Sequence, residues 1–357
     1  MDNNAIRETI NRSRAAGITD DIIFTWASDD VEAVKILLRE FNADPSVCNN
    51  AIAYAAVRNH VDTVRVLLED PRVNSTIELN TAINATKSGF TDVVELLLRH
   101  ECMHERDNSI LLKIAAKHGH HRIVELLLKC VHVDPKHEAF ELAASYGFSE
   151  VVRLLLEDGR MDPAADDNYA LKCAAVYGYT KIMKMLLADG RAAPTANAIE
   201  YAAKFNNVEE LRLMLKDPRV RDIASIDLAL MHAAERGHTE VMKLLLQDCR
   251  VDPAINRNFA IIRSSINGHA KIVELLLKDS RADPSDENNY AIITSASRGH
   301  TEVVKLLLSD SRIDFMGRFV ALQNAEENDH VDVVKLLREN SGIESAFPLF
   351  MFSLGYI

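Results

Sequence analysis

GHTEVVKLLL, at Gly299–Leu308, is written again as GHTEVMKLLL from Gly237, GHAKIVELLL from Gly268 and GHHRIVELLL from Gly119. Looser copies start at Gly89, Gly147 and Gly178, and degenerate ones at Asp29, Asn59, Asn206 and Asp329, where the glycine is lost. Successive starts lie 28 to 31 residues apart, which makes eleven units. Self-similarity at a fixed period of this size marks a structural repeat, in which one unit cannot bury its apolar face alone and stacked copies can.

Each unit carries two apolar rhythms. In the second, EVVKLLL, the residues Val303, Val304, Leu307 and Leu308 fall on one stripe at helical spacing. The first is shorter: Asn289-Tyr290-Ala291-Ile292, a pair of small residues (Ser295-Ala296), then Gly299. The asparagine, recurring at Asn49, Asn168 and Asn258 with Asp227 as a substitute, reads as an N-cap. The small pair admits a neighbouring helix at close range, and the glycine ends the helix in the left-handed conformation. A connector of the form D-x-R-x-D-P follows, as at Asp248–Pro253 and Asp279–Pro284, and proline forbids helix there. The unit is therefore helix, tight turn, helix, extended loop.

Over about residues 22–340 this pattern resembles the ankyrin repeat, most closely in the AA-x-x-GH-x-E-V-V-x-L-L-L string seen at Ala233–Leu246. The resemblance implies an all-α, ankyrin-type α-solenoid of about eleven helix-turn-helix repeats that binds a protein partner on its concave face. The usual T-P-L-H opening is replaced by [Tyr/Phe]-Ala-[Ile/Leu], as at Tyr169-Ala170-Leu171. The period is also shorter than the family's usual one, which implies short or irregular connecting loops. In this short form the chain resembles arrays encoded by large DNA viruses of protists. Residues 1–21 read as a polar, helical lead-in, and 341–357, ending AFPLFMFSLGYI, as an apolar cap or tail.

The bulk numbers narrow the function. With 53 acidic residues against 41 basic and a net charge of −12, the chain repels phosphate backbones, so nucleic acid is not an expected partner. Five cysteines without CxxC spacing fit a reducing, intracellular setting, and a cytoplasmic monomer is expected (host cytoplasm if viral). No stretch approaches the ~20 apolar residues that span a bilayer, so no membrane role is expected.

One segment looks catalytic. His100-Glu101-Cys102-Met103-His104 satisfies H-E-x-x-H, whose histidines bind zinc from one helical turn while the glutamate acts as base. It occupies a connector slot, however, where a continuous helix is not expected. Aligned connectors also set His100 against Cys130 and Cys102 against His132, a legitimate zinc donor set. Units stacked about 10 Å apart leave those donors too far apart to converge. The expectation is no metal, no cofactor and no enzyme. The post-glycine histidines (His120, His238, His269, His300) brace turns by hydrogen bonding, as the resemblance implies.

What remains is a binding surface. In ankyrin-like arrays the two residues before the glycine line the concave face. Here they include Tyr146, Tyr177 and Phe205 in three consecutive units, with Phe148 and Tyr179 where histidine usually sits. Rings placed centrally in this way resemble an interface hot spot. Basic and titratable neighbours (His118, Lys204, Arg236) make the surface less acidic than the rest and suit an acidic partner. An alternative use is an adaptor or substrate receptor of an enzyme complex such as a ubiquitin ligase, with the Phe-rich tail recruiting the machinery.

Overall fold

The structure is a computed structural model that describes residues 2–45, 49–73, 79–99, 105–130, 137–220 and 223–340. Among the described residues the architecture is all-helical: a lead-in helix, Asn3–Ala15, is followed by eleven helix pairs, with no strand. The first pair is Asp20–Ala27 with Val31–Arg39, and the last is Phe315–Glu327 with Val331–Asn340. The His100–His104 motif, the partners proposed for Cys130 (His100, Cys102, His132) and the tail at 341–357 lie outside the described residues.

The chain forms two compact units, 1–166 and 167–357. Within each, first helices pack on first helices of the neighbouring pair and second helices on second helices. The apolar stripe explains the order. Val303, Val304 and Leu307 are buried to 1% or less, as are Ile272, Val273 and Leu276 one pair earlier. Leu308, read as part of the same stripe, is only half-buried. The small pairs, such as Ala202-Ala203 and Ala233-Ala234, are wholly buried, so first helices can approach closely at these positions.

The turn between the helices explains the glycine–histidine pairing. Gly268 sits at φ +74°, and a Cβ there would lie 2.8 Å from the His300 ring of the next pair. His300 Nε2 in turn donates to the carbonyl of Ile266 at 3.0 Å. The same bond joins His120 to Lys87 at 3.0 Å, His238 to Lys204 at 3.1 Å and His269 to Glu235 at 3.1 Å. The histidine thus braces the preceding pair's helix end and leaves its own turn to the backbone. Where glycine is lost, Asn59, Asn206 and Asp329 keep the left-handed conformation at φ 58–60°. Short polar side chains are the ones that tolerate it.

Asn168, Asn258 and Asn289 are not N-caps. They have φ of 57–63°, outside the extended geometry of a capping residue. Asn256–Asn258 and Glu287–Asn289 each form a short left-handed run ahead of the helix. The amide side chains reach forward to the next connector. Asn258 Oδ1 accepts from the Asp283 amide at 2.6 Å, and its Nδ2 donates to Asp286 at 2.8 Å. Asn168 Oδ1 likewise accepts from the Ala193 amide at 2.9 Å. A side chain with both donor and acceptor can satisfy a loop that has no backbone ladder. Asp227, the expected substitute, lies inside the helix Ile223–Arg236.

The connector motif has a function that its proline did not reveal. Arg250 grips Asp248 through two nitrogens at 2.6 and 2.9 Å, and donates to the carbonyls of Val220 and Leu215 at 2.9 and 3.0 Å. Arg281 reaches Val251 O at 2.6 Å and Arg312 reaches Ala282 O at 2.7 Å in the same way. Each arginine therefore staples its connector to the previous one. Hydrogen bonding from Arg219, Arg250, Arg281 and Arg312 holds the carboxyls of Asp217, Asp248, Asp279 and Asp310, respectively, below the usual carboxylate range. A carboxyl depressed in the folded state stabilises above its unfolded pKa, about 3.9, and that stability is lost as pH falls through the lower folded value. The urea midpoint should therefore hold steady above about pH 5 and fall below about pH 4. A midpoint unchanged down to pH 3 would contradict the staple assignment.

One carboxylate of the second helices is buried. Glu210 stands where sibling units carry a core valine and is 3% exposed, accepting from the Thr180 hydroxyl at 2.5 Å.

Candidate binding surface

The position just before each turn is the last residue of the first helix, as at Tyr177, or the one that follows it, as at Tyr146 and Phe205. Its backbone N–H bonds back into the helix, as Tyr146 N–H to Leu142 O at 3.0 Å and Phe205 N–H to Tyr201 O at 2.9 Å. In the first unit this position holds Tyr146, 52% exposed, whose ring stacks on Phe148 with centroids 6.2 Å apart. Phe148 fills the histidine slot: a Cβ on Gly119 would meet its ring at 2.5 Å. It is half-buried, and its packing on the preceding turn is the task histidine performs elsewhere. One pair earlier His118 stacks on His120 at 6.0 Å and donates through Nδ1 to the Ile114 carbonyl, 2.9 Å away.

In the second unit Tyr177 is 59% exposed and Phe205 49%. Tyr177 stacks on Tyr179, which is half-buried, at 5.6 Å. The helix end that presents Tyr177 is held by Asn207, whose Nδ2 donates to Ala175 O at 2.7 Å and Val176 O at 2.9 Å. Here asparagine does the bracing. The signal for it was the missing glycine-histidine at Asn206-Asn207, which reads in sequence only as degeneracy. Lys204 is half-buried beside Phe205, and Arg236 is exposed one pair later.

Among the described residues no group of three or more His, Cys, Asp or Glu side chains is placed to hold a metal ion. Burial pushes the Cys130 thiol up from its ordinary value, away from thiolate reactivity. No helix among the described residues is long and apolar enough to cross a membrane.

A family model described as ankyrin repeats (3 copies) matches residues 22–107, 112–198 and 199–288. No curated protein matches the chain in sequence. The family is in general a protein–protein interaction module without catalytic activity. The matched segments cover well over half of the chain, and the residues within them make the helix pairs, glycine turns and buried stripes described above: the chain belongs to the ankyrin-repeat family.

Proposed function

We propose that the protein is a non-catalytic scaffold that holds a protein partner on the concave, first-helix face of its array. The observation that carries this reading is the exposure of Tyr146, Tyr177 and Phe205 at pre-turn positions, where no packing demand explains a ring. Large rings left in water at a rigid helix end supply contact area at little entropic cost, as hot-spot residues do. Phe148 and Tyr179 back those rings by stacking, and His118, Lys204 and Arg236 flank them. The working state is a cytoplasmic monomer.

Tyr177→Ala should leave folding within about 0.5 kcal/mol of the parent, because the ring is exposed. It should weaken partner binding by about 2 kcal/mol, or some thirtyfold. Affinity capture from the native cell, comparing the intact protein with a Tyr146/Tyr177/Phe205 triple alanine variant, identifies the partner and tests the surface together. Equal capture by both would remove the aromatic positions from the interface. The adaptor alternative rests on the apolar sequence of the tail. Deleting residues 341–357 should then preserve partner capture and abolish co-capture of a ubiquitin ligase.

A further inference from the structure

In the second unit the pre-turn position reads, pair by pair, Tyr177, Phe205, Arg236, Asn267, Arg298 and Asn328. Two exposed rings are followed by two cations alternating with amides, and no carboxylate occupies the row in a chain of net charge −12. The cations differ from their neighbours. Arg212, Arg257, Arg263 and Arg338 each pair with a glutamate, at 3.4, 2.7, 3.0 and 2.7 Å. Among the described residues Arg236 and Arg298 have no carboxylate partner; Arg298 only donates to the Ile266 carbonyl at 3.1 Å. Both are exposed. The helix end favours a cation there, and the nearest carboxylate in sequence to Arg236, Glu235, is engaged by Arg263 at 3.0 Å and not by Arg236.

Resting on the proposed use of this face, we infer that its occupant in the second unit is an extended peptide segment with an apolar end and an acidic end. The apolar end lies against Tyr177 and Phe205, and the acidic end against Arg236 and Arg298. Packed helices lie about 8–10 Å apart and extended chain advances about 3.3 Å per residue, so the peptide passes about three residues per pair. The rings, one pair apart, match apolar side chains about three residues apart, and the arginines, two pairs apart, match acids about six residues apart. Two exposed charge contacts add specificity and register more than affinity. Polyanionic nucleic acid also suits cations beside rings, but it carries charge at every residue and offers the rings no neutral, apolar stretch.

The test is selection of a random sixteen-residue peptide library on the full-length protein and on its R236E/R298E and Y177A/F205A variants, each first shown to melt like the parent. Enrichment of an apolar pair followed by acids at the six-residue spacing is the expected result. R236E/R298E should bind such a peptide about tenfold more weakly and select basic residues in place of the acids. Selected peptides without acids, or an acidic peptide indifferent to the charge reversal, would overturn the inference while leaving the aromatic surface standing. Binders indifferent to both variants would overturn the first-helix face itself. A labelled single-stranded oligonucleotide that binds the parent tighter than the peptide, and is lost in R236E/R298E, would reassign the row to phosphate.

Discussion

Leu276→Ala lowers the stability of the second unit by about 2–5 kcal/mol, the loss expected when a fully buried leucine leaves a cavity. Leu276 is 0% exposed and lies on the stripe it shares with Ile272 and Val273. The helix that carries it, Ala270–Lys278, packs on its own first helix and on the second helices before and after it, Thr239–Leu246 and Thr301–Leu308. A cavity at this point therefore weakens three interfaces at once. In a stack where each pair contacts only its neighbours, no distant core is available to compensate. Leu277, the next residue, is only half-buried and provides the control. Urea unfolding followed by circular dichroism should show a large fall in midpoint for Leu276→Ala and a smaller one for Leu277→Ala. Equal effects would mean that the stripe has been assigned to the wrong residues.

Gly268→Ala should cost about 2–3 kcal/mol, from two separable sources. The left-handed backbone costs an L-residue about 1–2 kcal/mol. The added methyl also meets the His300 ring at 2.8 Å, forcing the imidazole away from the Ile266 carbonyl and costing about 1 kcal/mol of hydrogen bonding. Gly190 separates the two, because it has φ +83° but nothing within 4 Å of its missing Cβ. Gly190→Ala should therefore show the backbone cost alone. In a His300→Ala background the excess cost of Gly268→Ala should vanish. An excess that survives removal of the imidazole would show that the pairing of glycine and histidine is not the cause.

The repeat made most of this fold legible. A stripe such as Val303-Val304-Leu307 must be buried, and a unit too small to bury it must stack, so register and helix count follow from the string alone. The exposed rings were legible for the opposite reason. A turn position that tolerates arginine, serine, histidine and asparagine in sibling units imposes no packing, so an aromatic there faces water. The asparagines were misread because an N-cap is a local explanation, while Asn258 bonds a connector 25 residues ahead. The same distance hid the arginine staple, in which Arg250 spans 30 and 35 residues to its carbonyls.

By itself the sequence determined the unit, its period, the buried stripe and the pre-turn positions open to solvent, because these depend on spacing within about thirty residues. Only the tertiary structure decided which polar groups join one pair to the next: His300 on Ile266, Asn258 on Asp283 and Arg250 on Val220. Those bonds form between units, where the partner is a backbone amide or carbonyl that every residue possesses. A sequence names the side chain that makes such a bond, and the packing of one helix pair on the next selects the backbone group that receives it.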